Sequence, residues 1–251
     1  MCPKPYFLPY NEDSFIAAVA EQRLKNKMIV LLILFLISFA PMFWCRYVFH
    51  KHDKVMQNMP FNGLEFGKTI LKEAGIGDVE IVSTPTFDHY DVRHKKVNVL
   101  ESRLTRRSLT SLTIVCHEIG HAIQHNESYK PLEYRTKTIE IGGWCAKLIS
   151  GISLIAMPFL LSMGGMSVLK PAATLLAAMI GIGLIIHIIT IGVELDASFN
   201  RAMPIIKQKI PSDYHEACRS VLLAAALTYV AGVATNLLSL RFFWIFLSRL
   251  T

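Results

Sequence analysis

One stretch of the chain decides how the rest is interpreted: Cys116-His117-Glu118-Ile119-Gly120-His121-Ala122-Ile123-Gln124-His125. In a helix, residues four apart lie on one face, so His117 and His121 project side by side. Two neutral imidazoles in that position can bind one zinc ion, and Glu118 then lies beside the metal and its bound water. The motif therefore predicts a zinc site with hydrolytic chemistry.

The residues around the motif favour a helix. Ser108 is suited to cap its N-terminus, and apolar residues then repeat at helical spacing: Leu112, Val115, Ile119 and Ile123. Gly120 inside a helix costs about 1 kcal/mol relative to alanine, so a packing reason is expected there. The alternative is a helix whose histidines are solvated or hydrogen-bonded and bind no metal. The helical context makes that alternative the weaker one.

The composition predicts a membrane protein. The chain has 251 residues, of which 52% are hydrophobic, and its formal net charge is +7; its mean hydropathy is +0.39. Lys and Arg flank apolar runs and form no basic strip with interleaved aromatic residues, so no nucleic-acid partner is expected. The five cysteines are scattered without a Cys-x-x-Cys pair, which argues against a disulfide framework and a thiolate zinc site.

Four apolar runs divide the chain into predicted segments. These are a polar N-terminal extension at 1–27, a first membrane helix at 28–45, a catalytic segment at 46–147 and a membrane bundle at 148–251. In the bundle, the expected spans are 148–169, 172–193 and 221–240, and a loop is expected at 194–219. The alternative for 28–45 is a cleaved signal peptide, which the long leader and Pro41 disfavour.

The segment between the first two spans is predicted to be α+β. Asn62 and Glu65 form a capping-box pattern at the start of a helix that stops at Gly75. Residues 78–84 alternate like a half-buried strand, and residues 97–100 are a second candidate. Extended chain ahead of the zinc helix is where a substrate could add as a strand. The predicted fold class is a mainly α-helical integral membrane protein with about four transmembrane helices and this α+β segment.

A zinc site with two histidines needs a third protein ligand. Four spans would place the 46–147 segment and the 194–219 loop on the same side of the membrane, where Glu194 emerges within reach of the zinc helix. The alternative for Glu194 is an interfacial carboxylate that only contacts water. The weaker rivals for the third ligand are His125, one turn beyond the motif, and His187, on the same helix face as Glu194.

Several further elements match one family. They are Asp88-His89-Tyr90-Asp91, the segment Ser108–His125, the segment Tyr129–Arg135 and the segment Glu194–Ala202. In this combination the chain resembles the YugP-like membrane zinc metallopeptidases, a gluzincin-like group, from about residue 61 to its end. The resemblance implies a zincin-like catalytic segment that binds Zn²⁺ through the motif histidines and Glu194, with Glu118 as the base. Two departures are the 1–27 extension and Ser198, which stands where related membrane gluzincins carry aspartate, so support for the ligands is expected from elsewhere.

The resulting hypothesis is a membrane-bound zinc-dependent endopeptidase. Glu118 would take a proton from the zinc-activated water, which attacks a peptide carbonyl, and would pass that proton to the leaving nitrogen. His89, Tyr90 and Arg201 are the candidates for stabilising the developing oxyanion. The alternatives are a loop-stabilising Asp-His-Tyr cluster, and an Arg201 side chain that extends to the membrane interface or pairs with Glu194.

The expected partners are the lipid bilayer and a membrane-associated protein or peptide substrate. More Lys and Arg residues lie on the catalytic side of the spans, which predicts a cytoplasmic catalytic segment in a multi-pass protein of a bacterial inner, or plasma, membrane. The alternative function is a non-catalytic membrane scaffold that retains the metal-binding fold, and the intact Glu118 argues against it. A transporter fits less well, since few charges lie within the spans.

Overall fold

The computed structural model describes residues 12–162 and 166–247, which are mostly helical and include one small sheet. The α-helices of this described part are α1 (Glu12–Lys51), α2 (Gly63–Glu73), α3 (Glu101–Thr105), α4 (Leu109–Asn126), α5 (Lys130–Ser162), α6 (Met166–Leu195), α7 (Met203–Lys209) and α8 (His215–Leu247). The strands are β1 (Glu80–Thr84), β2 (His89–Asp91) and β3 (Lys96–Leu100). A π-helix, Asp196–Ala202, joins α6 to α7, and a 3-10 turn, Ser212–Tyr214, precedes α8.

Within the described residues, three helical segments are long and apolar enough to cross a membrane. They are Lys130–Ile155, Ala173–Lys209 and Ser212–Arg241. The first expected span, 28–45, lies within α1 and is not one of these three, so a total of four spans stays a prediction. α5 packs against α6, α6 against α8 and α8 against α1, so the long helices lie side by side in that order. The expectation of a mainly helical chain with apolar helices long enough to span a membrane is confirmed.

Several predicted boundaries differ from the observed helices. α5 begins at Lys130 and α8 at His215, because polar residues continue each helix beyond its apolar part. In the predicted N-terminal extension, residues 1–11 lie outside the described residues, and the remainder forms the first turns of α1. Apolar runs locate helices in the membrane, but they do not fix where the helices end.

The segment predicted as a loop at 194–219 is mostly helical. α6 continues through Leu195 into the π-helix and α7 without an intervening loop. The physical reason is that this segment has its own buried apolar residues at helical spacing, and these pack against α4: Ala197, Ala202, Met203 and Ile206. The first proline, Pro204, lies in the first turn of α7, where a proline does not disrupt a helix. π-helical turns of this kind occur frequently at functional sites.

The α+β segment follows the sequence prediction closely. Asn62 and Glu65 form the capping box of α2, and Gly75 has the positive φ of 69° that favours glycine after a helix. The strand order is β1-β3-β2, with β1 parallel and β2 antiparallel to β3. β2 is therefore an edge strand, and it was not expected because three residues are too few to show a periodic pattern. The small sheet packs beside α4, and the buried core residues of this segment lie around α4.

Candidate metal centre

Three side chains converge where α4 meets the end of α6. One potential ligand atom from each of His117, His121 and Glu194 lies within 4.8 Å of the other two. Oε2 of Glu194 is 3.1 Å from Nε2 of His117 and 3.6 Å from Nε2 of His121. His121 and Glu194 are almost fully buried, with exposed fractions of 4% and 3%. The structure thus brings together the three residues that the sequence suggested as metal ligands.

Local structure explains why these residues meet. Ser108 caps α4 by accepting a hydrogen bond from the backbone N–H of Ser111, as expected. In the apolar stripe of α4, Leu112, Val115 and Ile119 are each 0% exposed, and Ile123 is partly buried. This fixes the rotation of α4, so the two motif histidines face the π-helix. Glu194 lies in the last turn of α6, immediately before the π-helix begins.

Gly120 permits the close approach of these two elements. A Cβ atom at this position would lie 2.7 Å from the backbone oxygen of Ala197 in the π-helix. No side chain can be accommodated at that distance without moving backbone. Gly120 is unfavourable for an isolated helix, and its presence in α4 is therefore explained by close packing at the metal centre.

We predict that Gly120→Ala lowers thermal stability, although alanine is the better helix former. Relief of the helix propensity cost would give about 1 kcal/mol, but overpacking against Ala197 costs about 1–3 kcal/mol. Gly143→Ala is the matched control, since a Cβ there would meet nothing within 4 Å, and it should be neutral or stabilising. The measurement is thermal unfolding in detergent, and equal effects of both substitutions would contradict the packing explanation.

The outer ring nitrogens of both histidines are held by neighbouring side chains. Nδ1 of His121 is 2.9 Å from Oε1 of Gln124, and Nδ1 of His117 is 3.1 Å from Oγ of Ser198. The amide of Gln124 also donates to the backbone oxygen of Val193, so its own orientation is fixed. Because Oε1 of Gln124 can only accept, Nδ1–H of His121 is the donor and its Nε2 keeps a lone pair directed at the cluster. The Ser198 hydroxyl can either accept from or donate to Nδ1 of His117, and as an acceptor it leaves Nε2 of His117 free in the same way. Ser198, from which no support was expected, therefore supplies part of it.

This donor set fits a zinc ion. Two imidazole nitrogens and one carboxylate oxygen are a common catalytic zinc set that leaves one position open. The Gln124 contact fixes the tautomer of His121 that zinc ligation needs, and the Ser198 contact is compatible with the same tautomer of His117. A cation bound between the two histidines would add to the charge compensation that Arg135 gives the buried Glu194 carboxylate. The residues present thus fit the group that the motif implies.

Glu118 is buried beside the cluster, with 7% of its surface exposed. Burial raises the pKa of the Glu118 carboxyl to about 7; the interactions with His117 and Arg135 oppose this shift, and the negative charge of Glu194 adds to it. The backbone N–H of Tyr90 in β2 donates a hydrogen bond to the Glu118 carboxylate. Glu118, His117 and Glu194 line a cavity of about 210 Å³, whose other walls come mostly from apolar residues of α1 and α8. A proton-accepting group thus faces a space where a substrate can bind.

The three side chains suggested for oxyanion stabilisation have other partners. Nδ1 of His89 is 3.0 Å from the backbone oxygen of Phe87, and the hydroxyl of Tyr90 is 2.9 Å from Nδ1 of His125. Arg201 forms ion pairs with Glu127 and Asp196, not with Glu194. Within the described ranges 12–162 and 166–247, none of these three side chains forms a hydrogen bond or ion pair with the metal cluster. Their catalytic role stays a prediction.

The two rival metal ligands also lie elsewhere. His125 is hydrogen-bonded to Tyr90, and the imidazole of His187 lies against Gly232 of α8, where a Cβ would be 2.6 Å from the ring. Neither histidine belongs to the cluster, which is formed by His117, His121 and Glu194 alone among the described residues. Glu194 is therefore better placed than either rival.

Sequence reasoning missed two residues that contact Glu194. Nη2 of Arg135 lies 3.0 Å from Oε1 of Glu194, and the Tyr229 side chain of α8 lies beside the same carboxylate and interacts with it. Arg135 was part of a segment quoted for the family resemblance. Because the second span was expected to begin at 148, its helix was not extended back to the metal centre. For Tyr229 the sequence carries no signal apart from a polar group within an apolar run.

Comparisons with known proteins agree with this geometry. The model of a family described as "Putative neutral zinc metallopeptidase" matches residues 27–248. The chain is 34% identical over 226 residues to a protein of Bacillus subtilis (strain 168) named "Putative membrane protease YugP", covering 84% of this chain and 92% of that relative. No solved structure matches the chain.

Proposed function

This chain belongs to the zinc metallopeptidase family whose model matches residues 27–248, and on that premise we propose that it is a membrane-bound zinc endopeptidase. The observation that carries the proposal is the convergence of His117, His121 and Glu194 within 4.8 Å, with the buried Glu118 carboxylate beside them. The relative's printed name, a membrane protease, supports the same activity and location.

The proposed chemistry assigns a task to each of these residues. His117, His121 and Glu194 would hold the metal, Gln124 keeps His121 in the ligating tautomer, and Ser198 orients the ring of His117. Zinc, when bound, supplies Lewis-acid chemistry that polarises a carbonyl and lowers the pKa of water towards about 7.

Glu118 is the proposed general base. Its carboxylate accepts the proton of the attacking water and returns it to the leaving nitrogen of the substrate. The Tyr90 backbone N–H interacts with the Glu118 carboxylate, and Glu118 lines the cavity beside the cluster. Burial supports this task, because a base whose pKa lies near 7 can both accept and return a proton at neutral pH.

The membrane setting narrows the proposed substrates to proteins or peptides at the bilayer. Glu194 lies in a candidate membrane span, Ala173–Lys209, and the cavity beside the cluster is walled by α8 and the end of α1. The proposal also includes a first span at 28–45, which makes four spans in total, and a zincin-like arrangement of the catalytic segment. It places the catalytic segment on the cytoplasmic side of the inner membrane. The non-catalytic scaffold has no observation in its favour.

The function is tested with the full chain purified in detergent and loaded with one equivalent of zinc. Incubation with a mixture of unstructured peptides, followed by mass spectrometry, should give internal cleavage products. A zinc chelator should stop the cleavage, and added zinc should restore it. Cleavage that survives complete zinc removal, or no cleavage by the zinc-loaded chain, would contradict the proposal.

A further inference from the structure

Arg135 occupies an unusual position next to the metal cluster. It lies near the start of α5, its side chain is 22% exposed, and its Nη2 is 3.0 Å from Oε1 of Glu194. Within the described part of the chain, its Nε is buried and has no hydrogen-bond partner. A buried N–H donor without a partner is costly, and such groups call for a specific explanation.

A groove leads to Arg135 from the side of the sheet. It has a volume of about 310 Å³ and lies between the edge strand β2 and α5, with His89, Tyr90, Arg135 and Ile139 among its lining residues. Tyr90 connects this groove to the cluster, because its backbone N–H donates to Glu118. Arg135 is also close enough to Glu118 for its charge to affect the pKa of that carboxyl. The groove is thus lined by a residue that carries an unpartnered N–H donor and whose charge acts on the proposed base.

We propose that Arg135 is a catalytic residue that donates a hydrogen bond to the carbonyl oxygen of the peptide as negative charge develops on it. This inference rests on the proposed function. The guanidinium has five N–H donors and a permanent positive charge. It therefore holds Glu194 through Nη2 and retains donors, the unpartnered Nε–H among them, for the oxyanion.

The atoms and electrons of the step balance without a further reactant. The water oxygen forms a bond to the carbonyl carbon, its proton passes to Glu118, and the π electron pair of the C=O bond moves to the carbonyl oxygen beside Arg135. The C–N bond then breaks, the oxygen electron pair re-forms the double bond, and Glu118 gives its proton to the leaving nitrogen. Arg135 stays protonated throughout and acts by charge and hydrogen bonding.

Arg135 fits this task better than His89, Tyr90, Arg201 or Tyr229. The side chains of His89, Tyr90 and Arg201 have hydrogen-bond or ion-pair partners outside the cluster. Tyr229 interacts with Glu194, but its neutral hydroxyl has a single O–H donor and no charge. Tyr229→Phe is therefore the informative competitor of Arg135 in the experiment.

The experiment measures zinc content, kcat and KM for the wild type, Arg135→Gln, Arg135→Lys and Tyr229→Phe, with Arg219→Gln as the control. Arg219 is an exposed arginine at the start of α8. We expect Arg135→Gln to keep its zinc and to lose about 10²-fold in kcat with little change in KM, as removal of one oxyanion donor does in other enzymes. Arg135→Lys keeps the charge beside Glu194 without the planar fork, so it should recover part of the loss. Tyr229→Phe should lose less than Arg135→Gln.

Binding gives a second readout that needs no turnover. A phosphinic peptide presents a tetrahedral anion in place of the scissile bond, and calorimetry measures how Arg135→Gln changes its binding. The comparison is an ordinary peptide of the same sequence, whose binding is measured to the Glu118→Gln protein with and without Arg135→Gln. We expect Arg135→Gln to weaken binding of the phosphinic peptide by about 10²-fold and binding of the ordinary peptide by less than about threefold, because transition-state analogues report interactions made only with the developing charge.

The outcomes separate this inference from the proposed function. A wild type that cleaves nothing overturns both. A wild type that cleaves, together with an Arg135→Gln variant of normal kcat, overturns only the role of Arg135. If Arg135→Gln loses zinc and regains full activity at saturating zinc, Arg135 only positions Glu194, and the proposal is likewise wrong. A larger loss in Tyr229→Phe than in Arg135→Gln would assign the oxyanion to the tyrosine.

Discussion

Glu118→Gln is expected to retain one zinc per chain and to lose peptidase activity by about 10³-fold, within the range that general bases contribute. Glutamine has the same shape as glutamate and keeps an oxygen that can accept the backbone N–H of Tyr90. It cannot accept the proton of the attacking water. Because the side chain is 7% exposed, bulk water has little access to replace it as a base. The measurement is kcat on a cleaved peptide, together with zinc content.

The control for this substitution is Glu216→Gln. Glu216 lies at the start of α8 with its side chain 87% exposed, and its carboxylate is 3.9 Å from Arg219. Surface substitutions of this kind usually have small effects, so activity and zinc content should match the wild type. A zinc-loaded Glu118→Gln protein with normal kcat would remove Glu118 from the role of base.

His121→Ala is expected to abolish the stabilisation of the folded protein by zinc. In the wild type, free zinc at 100 times its dissociation constant should add about 2.7 kcal/mol to the free energy of unfolding. His121 is buried, and its Nε2 faces Glu194, so its removal takes one of three ligands from the site and leaves Gln124 without its imidazole partner. The zinc-dependent shift of the melting temperature should therefore largely disappear.

His94→Ala serves as the matched histidine control. The His94 side chain is 70% exposed and pairs with Asp91 at the surface, so its loss should leave the zinc-dependent shift intact. Differential scanning calorimetry in detergent, with and without zinc, gives the comparison. An unchanged shift in His121→Ala would mean that zinc binds at another site.

Local patterns predicted the elements that position the histidines. The Ser108 cap, the apolar stripe of α4 and the Asn62–Glu65 capping box all depend on residues within one or two helical turns, and such short-range signals are legible in a single sequence. The same holds for strands near 78–84 and 97–100, which appear as β1 and β3. Glu194 was predicted as a ligand from the membrane topology, because a residue at the end of a span can lie near a segment that is distant in sequence.

Residues that act through long-range contacts were not predictable in this way. The contact between Arg135 and Glu194 depends on how far α5 extends beyond its apolar part, and neither helix carries a local signal for it. Ser198 reaches His117 because the chain after Glu194 forms a π-helix, whereas the sequence suggested a loop. The hydrogen bonds of a π-helix span one residue more than those of an α-helix, which changes the side chains that face α4. Spacing rules for α-helices do not anticipate this change.

The central claim is that three residues from two distant parts of the chain bind one zinc ion, and zinc content measures it directly. Metal analysis of the purified full chain should give one zinc per chain for the wild type and for His187→Ala, whose imidazole lies against Gly232. Glu194→Ala, which removes the ligand supplied by α6, should lose the zinc or bind it far more weakly. Full zinc occupancy in Glu194→Ala, loss of zinc in His187→Ala, or a wild type that binds no zinc after reloading would contradict this account.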